Sequence, residues 1–119
     1  MSNRIATFGL ACILAGMTAS ASAMDGNTNF MVYGRLSCGK YLDARKANDT
    51  LGYVGWLAGY VTAANFYAPN TFDLLGSTDM PSALAWLEKH CRENPLRDFQ
   101  VSVRNLLIEL YPMRHVTKP

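Results

Sequence analysis

The chain has 119 residues, enough for one domain; half of them are apolar and only 17% are charged. This composition excludes a wholly disordered chain, because disordered chains are poor in apolar residues. The 11 Lys and Arg residues and 9 Asp and Glu residues give a formal net charge of +2. That balance argues against an electrostatic nucleic-acid binder, whose basic excess would be large and clustered.

Residues 1–23 have the pattern of a secretory signal peptide. Arg4 supplies a positive charge, residues 5–17 are apolar and uncharged, and Ala21 and Ala23 mark a small-residue cleavage site. The apolar run is too short for a membrane anchor, which takes about 20 residues. We therefore predict cleavage after Ala23 and export, which for a bacterial chain means a periplasmic or extracellular protein.

Cleavage would leave two cysteines, Cys38 and Cys91, in an oxidising compartment. An even pair in that setting predicts a disulfide. The loop that it closes is more than half of the mature chain, and the chain-entropy model assigns such a loop about 4 kcal/mol. Neither cysteine lies in a C-x-x-C redox motif, and two cysteines alone cannot complete a structural zinc site.

The beginning of the mature chain predicts an irregular arm followed by a helix. Residues 24–36 mix Gly, Asn and Asp with a short apolar stretch, which is typical of an extended or irregular N-terminal arm. Ser37 is a suitable N-cap for a first helix from Cys38 to about Ala47, with Tyr41 facing inward. The polar residues 48–50 then favour a break.

The second predicted helix, about Leu51 to Tyr67, lies in a stretch without charge from Thr50 through Thr71. Its glycines make it poorly hydrophobic for a membrane span, so a buried central helix is favoured. Small residues share one side of this helix, and we expect another helix to pack closely against them: Gly52, Gly55, Gly59 and Ala63. The adjacent side is aromatic, and it is either core or a hydrophobic contact surface: Tyr53, Trp56, Tyr60 and Tyr67.

Residues 68–78 predict a loop, broken by Pro69 and Gly76, that carries apolar side chains at Phe72 and Leu75. Thr78 or Asp79 is expected to cap a third helix that tolerates Pro81 in its first turn. Asn94-Pro95 is expected to close this helix.

A fourth helix is predicted to begin at Asn94 as N-cap with Pro95 as its first residue. Apolar residues at alternating spacings of three and four predict its inward-facing seam: Leu96, Phe99, Val103, Leu106 and Leu110. The helix should end at Pro112 and leave residues 113–119 as a frayed tail.

These elements predict an all-α fold, a small bundle of about four helices over residues 37–112. The disulfide would join the start of the first helix to the end of the third. That link restrains the elements on either side of the uncharged helix, where a small core most needs support.

Few residues suggest catalysis. The mature chain has only His90 and His115 as histidines, Asp43 and Asp49 lie on or near polar surface, and no phosphate-binding loop or metal-ligand spacing occurs. We therefore predict no enzyme, no cofactor and no metal. The function class that is left is protein binding, either by self-association as a homodimer or by capture of a partner. The candidate binding residues are Tyr53, Trp56, Tyr60, Phe72 and Leu75.

Three segments together resemble small periplasmic proteins of the HdeA/HdeB type. They are Cys38-Gly-Lys-Tyr-Leu42, Trp56-Leu-Ala-Gly59-Tyr60 and Trp86-Leu-x-x-x-Cys91-Arg-Glu-Asn94-Pro95. The resemblance covers about residues 37–110 and implies an all-helical domain with Cys38 and Cys91 bonded. It also implies a chaperone that partly unfolds in acid and holds denatured client proteins on exposed apolar surface.

A second resemblance is to Tai-type immunity proteins, which neutralise type VI secretion amidase effectors. Their size, export signal and Gly-Tyr-containing helix are similar to those of this chain. The sequence departs from their pattern after Tyr111-Pro112, where Met113 follows and no terminal cysteine is present. The residues leave three functions open: an acid-stress chaperone, an immunity protein that inhibits a secreted cell-wall amidase, and a structural envelope component.

Overall fold

The computed structural model describes residues 24–27 and 29–119. The chain divides into two compact units, Met1–Met31 and Val32–Pro119, and the predicted signal peptide lies outside the described residues. In the described part of the first unit, the Asp25 carboxylate accepts backbone N–H groups of Asn27 and Asn29 at 2.9 and 2.8 Å. These hydrogen bonds, that of Asn29 foremost, lower the pKa of Asp25.

The second unit is all-α, as the sequence predicts. Its described residues contain four α-helices and no strand: α1 Cys38–Lys46, α2 Leu51–Tyr67, α3 Met80–Glu93 and α4 Phe99–Leu110. A short 3₁₀ turn, Tyr111–Met113, follows α4. Of the helices in the described ranges, none combines the length and apolar character that spanning a bilayer requires.

The predicted caps of α1 and α3 are confirmed. The Ser37 hydroxyl accepts the N–H of Lys40 at 3.1 Å, and the Asp79 carboxylate accepts the N–H of Ser82 at 2.8 Å. Each bond satisfies an N–H that the first turn of a helix leaves without a partner. Pro81 lies in the first turn of α3, where its missing N–H is not needed.

The predicted start of α4 is wrong. Asn94 ends α3, because its side-chain amide donates to the carbonyl of His90 at 3.0 Å, and α4 begins only at Phe99. The intervening residues turn back toward the beginning of α1, where the N–H of Cys38 donates to the carbonyl of Arg97 at 3.0 Å. Leu96, expected in the inward seam, is therefore 100% exposed.

The rest of that seam forms the core. Phe99, Val103, Leu106 and Leu110 are buried, and the ring of Phe99 lies 4.8 Å from that of fully buried Tyr41. The Tyr41 hydroxyl donates to the carbonyl of Leu84 at 2.7 Å. Burial of this phenol raises its pKa to about 12.

The predicted disulfide between Cys38 and Cys91 is confirmed, with the two Cα atoms 5.0 Å apart. Both cysteines are fully buried. The bond joins the first residue of α1 to the last turn of α3, so these two helices stay linked even where their packing loosens.

The tail, predicted to be frayed, is paired at its beginning with the loop before α3. The N–H of His115 donates to the carbonyl of Asp73 at 2.9 Å, and the N–H of Phe72 donates to the carbonyl of His115 at 2.8 Å. The Arg114 guanidinium adds a bond from Nε to the Thr71 hydroxyl at 3.1 Å. The loop and the tail therefore support each other.

Replacing Gly76 in this loop, as Gly76→Ala, is expected to lower the free energy of unfolding by about 1–3 kcal/mol. Gly76 has a φ of +58°, and an added Cβ would lie 2.5 Å from the carbonyl oxygen of Met113, so the variant combines backbone strain with a clash. Urea denaturation measures the change. The control, Gly59→Ala, has open space around its Cβ and is expected to stabilise α2 by about 0.5–1 kcal/mol. An unchanged stability of Gly76→Ala would contradict this account of the loop.

Candidate functional site

One side of α2 packs against the core through its aromatic residues. The rings of Tyr53 and Trp56 lie 5.1 and 5.9 Å from that of Phe99 in edge-on arrangements. Trp56 also stacks on Tyr60 at 5.1 Å, and its indole N–H donates to the carbonyl of Tyr33 at 3.2 Å. Burial, with a smaller effect of the Asp43 charge, raises the pKa of Tyr53. These three aromatic side chains are half-buried, at the boundary between the core and the surface.

The side of α2 that carries the small residues is exposed, so the expectation that another helix of the chain packs on them is wrong. Nothing lies within 4 Å of a Cβ built on Gly52, Gly55 or Gly59. The reason is geometric: α1 and α4 contact the aromatic side of α2, and α3 packs against α1 and α4. The described chain has no further helix to cover the small residues of α2. We call the exposed residues the outward face of α2: Leu51, Gly52, Gly55, Gly59, Thr62, Ala63 and Phe66.

The outward face contains no charged residue and almost no free polar group. Its one hydroxyl, on Thr62, donates to the carbonyl of Ala58 at 2.7 Å, so this donor is already satisfied within the helix. Phe66 is 81% exposed and contacts the ring of exposed Tyr67 edge-on at 5.0 Å. A solvated helix face normally carries charged side chains, so this face is unusually apolar.

An apolar groove of about 390 Å³ lies between the C-terminal half of α2 and α4. We call it the α2–α4 groove, and its lining residues are Tyr60, Ala64, Ala68, Leu74, Arg104, Leu107, Ile108 and Tyr111. Ile108 is 65% exposed although it is fully apolar. Tyr60 also stacks on Trp56, which places the groove next to the half-buried aromatics.

Two arginines, Arg104 and Arg114, and one carboxylate, Asp73, lie in or beside the groove. Among the described residues, Arg104 has no carboxylate partner. The Arg114 guanidinium lies 3.9 Å from the centre of the Tyr111 ring and donates to neutral oxygens of Asn70, Thr71 and Tyr111. Asp73, next to the lining residue Leu74, already accepts the N–H of Leu75 at 3.0 Å.

The candidate binding residues fall into two groups. Tyr53, Trp56 and Tyr60 come together as a half-buried aromatic row, and Tyr60 reaches the groove. Phe72 is 46% exposed and Leu75 is partly buried, both in the loop that also supplies the groove residue Leu74.

The sequence-based candidate binding residues did not include the α4 residues that line the groove, which are Arg104, Leu107 and Ile108. Their signal was present in the sequence, since Leu107 and Ile108 extend the apolar surface of that helix beyond the predicted seam.

Two further titratable side chains, His90 and Glu88, have structural partners. His90 stacks on Trp86 at 4.9 Å, and its Nε2 lies 3.4 Å from the side-chain amide nitrogen of Asn105. Glu88 binds Arg45 and Arg92. Within the described residues, no three His, Cys, Asp or Glu side chains come together in a way that could hold a metal ion.

Comparison with known proteins adds no identity. No protein-family model, no curated protein and no solved structure matches this chain. The resemblance to HdeA/HdeB and Tai-type proteins therefore stays a prediction that rests on the sequence motifs.

Proposed function

We propose that this protein is an exported, non-catalytic protein-binding domain that acts as a periplasmic acid-stress chaperone of the HdeA/HdeB type. The observation that carries the proposal is the outward face of α2, an exposed row of apolar and small residues without a charge. Contiguous exposed apolar surface on a globular domain marks a place where other proteins bind. The glycines of this face also favour binding, because they have no side chain that would keep a client chain away from the helix backbone.

Two carboxylates supply an acid trigger. Glu88 on α3 binds Arg45 of α1 at 2.7 Å and also binds Arg92. The hydrogen bond from Arg45 lowers the pKa of Glu88, and the charges of both arginines add to it. The N-cap bonds from Ser82 lower the pKa of Asp79 in the same way.

The sign of this coupling favours opening in acid. A carboxylate whose pKa is lower in the folded protein stabilises the fold above its unfolded pKa and loses that contribution as the pH falls through its folded pKa. In acid, α3 therefore loses its N-cap and its ion pair to α1. The Cys38–Cys91 bond keeps the two helices tethered, so the opened chain exposes core surface and can close again at neutral pH.

Replacing Glu88, as Glu88→Gln, is expected to reduce the loss of stability in acid. At pH 7 the variant should be less stable by up to about 1 kcal/mol, the range of partly exposed ion pairs. The variant and the original chain should begin to converge as the pH falls to about 4.5, the usual pKa of this carboxyl, and the difference should vanish below the lowered pKa of the folded protein. Urea denaturation at a series of pH values from 7 to 2.5 measures both effects.

Glu93→Gln, which removes a carboxylate without an ion pair among the described residues, is the matched control. Equal pH dependence in both variants would exclude Glu88 as a trigger.

The chaperone function is tested by client-aggregation assays between pH 7 and pH 2, together with circular dichroism. We expect suppression of client aggregation to appear as the helical signal loosens. The site is tested by Ala63→Lys, which places a charge on the outward face of α2. Ala85→Lys, at an exposed position of α3, is the matched control. Ala63→Lys should reduce suppression several-fold at unchanged stability, while Ala85→Lys should not.

Two results would overturn these proposals. A fold unchanged down to pH 2 without any suppression of aggregation would remove the chaperone function. Equal activity of the Ala63→Lys and Ala85→Lys variants would remove the outward face of α2 as the client site.

A second candidate function is that of an immunity protein, which would inhibit a secreted cell-wall amidase. The exposure of the outward face of α2 in the folded protein favours it. The outward face of α2 is exposed while the ion pairs of Glu88 are intact, so binding there needs no unfolding. An inhibitor needs such a preformed surface with apolar anchors, and Phe72 is the first anchor to test. Tight binding of a co-exported amidase at pH 7 would support this function if Phe72→Ala or Ala63→Lys abolished the binding. The immunity function would replace the chaperone function if the protein also showed no acid-induced chaperone activity.

A further inference from the structure

We infer that the outward face of α2 pairs with the same face of a second copy of this chain, with the two α2 helices antiparallel. This inference goes beyond the acid-stress function, because it concerns the folded protein at neutral pH. It depends on three properties of the face: its lack of charge, the positions of its glycines and the exposure of Phe66.

The lack of charge makes this face compatible with itself. When two copies meet about a twofold axis, each residue of the interface lies near residues of the same patch, so a charged patch would bring like charges together. α2 has no charged residue over 51–67, and the uncharged stretch extends through Thr71. The hydroxyl of Thr62 already donates within the helix, so pairing would not leave this donor unsatisfied.

The glycines and the larger side chains of the face lie on opposite sides of Gly59. Gly55 and Gly52 precede Gly59 by four and seven residues, whereas Ala63 and Phe66 follow it by four and seven. All of them are exposed. An antiparallel pair with its twofold axis at Gly59 therefore places Ala63 of one copy level with Gly55 of the other. Phe66 comes level with Gly52 in the same way.

This arrangement favours a second copy over an unrelated partner, because the face carries both the side chains and the spaces that receive them. A Cβ built on Gly52 or Gly55 would meet open space. Phe66 is 81% exposed, and in the antiparallel pair its ring would fill the space above Gly52. A parallel pair would place Phe66 against Phe66 and leave that space empty. Helices with such small residues at their contact can approach to about 8 Å.

The contact involves one helix from each copy. α2 has 17 residues, which corresponds to a length of about 25 Å. One pair of such helices buries less than the roughly 1,600 Å² of a standard stable interface. We therefore expect a weak dimer, with a Kd in the micromolar range or above. A weak dimer is compatible with the proposed client site, because a client that binds the same face can displace the second copy by mass action.

The test is sedimentation equilibrium of the oxidised protein at pH 7, at concentrations from about 10 μM to 1 mM. We expect the average mass to rise from that of a monomer toward that of a dimer over this range. Phe66→Ala should raise the Kd at least about tenfold, because it removes the aromatic anchor of the pair.

Gly55→Leu separates a fitted pair from general apolar association. The added side chain lies in open space in the monomer, but in the pair it would occupy the space that Ala63 of the other copy needs. We expect the Kd to rise at least about tenfold, whereas general association would become tighter on this more apolar face. Ala85→Leu, at an exposed position of α3, is the matched control and should leave the Kd unchanged. Circular dichroism and urea denaturation confirm that each variant is folded.

Cysteine cross-linking tests the antiparallel arrangement. Gly55→Cys and Ala63→Cys each place a thiol about 6 Å along the helix from the axis at Gly59. Two copies of one variant then hold their thiols about 12 Å apart, which is too far for a disulfide. A mixture of the two variants should therefore cross-link on mild oxidation, and neither variant should do so alone.

The inference is overturned if the chain stays monomeric up to about 1 mM, if Phe66→Ala or Gly55→Leu fails to raise the Kd, or if the mixture cross-links no more readily than either cysteine variant alone. Its failure is distinct from that of the chaperone function, because the dimer is measured at pH 7 without a client and suppression of aggregation is measured in acid. A chain that suppresses aggregation but stays monomeric would contradict only this inference.

Discussion

Replacing both cysteines, as Cys38→Ala/Cys91→Ala, is expected to lower the free energy of unfolding by about 4 kcal/mol. The disulfide closes a loop between residues 53 apart in sequence, and without it the unfolded chain gains the conformational entropy that the closed loop excludes. The loss is comparable with the total stability of a small domain, for which about 5–15 kcal/mol is usual. Urea denaturation at pH 7, followed by circular dichroism, measures it.

Reduction provides the control for this prediction. A reducing agent should destabilise the original chain by a similar amount and leave the double variant unaffected. If the double variant were as stable as the oxidised protein, the link between α1 and α3 would not be the principal restraint of this fold, and the tethered opening proposed for acid would lose its basis.

Replacing Phe99, as Phe99→Ala, is expected to cost about 3–5 kcal/mol, the range for large-to-small changes at buried aromatic positions. Phe99 is fully buried at the start of α4, and its ring contacts those of Tyr41, Tyr53 and Trp56. Its loss would leave a cavity where α1, α2 and α4 meet. Urea denaturation measures the cost, and the fluorescence of Trp56 should change because its edge-on neighbour is missing.

Ile108→Ala is the matched control, an apolar truncation on the same helix at a position that is mostly exposed. It should change the free energy of unfolding by no more than about 0.5 kcal/mol. Phe99→Leu should lie between the two, because it keeps much of the buried volume. A cost for Phe99→Ala no greater than that of the control would show that the aromatic cluster is not the centre of the core.

The two apolar surfaces of the protein suit different tasks. The outward face of α2 is flat, uncharged and lined by glycines, so it can accept varied chains with little selectivity. The α2–α4 groove has a volume of about 390 Å³ and one cation, Arg104, among its lining residues, which are elements of more selective recognition.

The sequence by itself determined the features that depend on neighbouring residues. They include the bounds of α2, the cap at Ser37 and the seam from Phe99 to Leu110, which follow from helical periodicity and local hydrogen bonds. For the cap of α3 the sequence left Thr78 and Asp79 open, and the structure selects Asp79. The pairing of Cys38 with Cys91 follows from the number of cysteines that the predicted cleavage leaves.

Only the tertiary structure decided which side of α2 is covered and where α4 begins. Both depend on partners far away in the chain: the core-forming aromatics of α2 meet Phe99, and the segment after Asn94 pairs with the residues before α1. The periodicity of a helix defines its faces but does not say how many neighbouring helices there are to cover them. The small-residue side of α2 was therefore expected to be buried, and it is exposed because the bundle has no helix left to pack there.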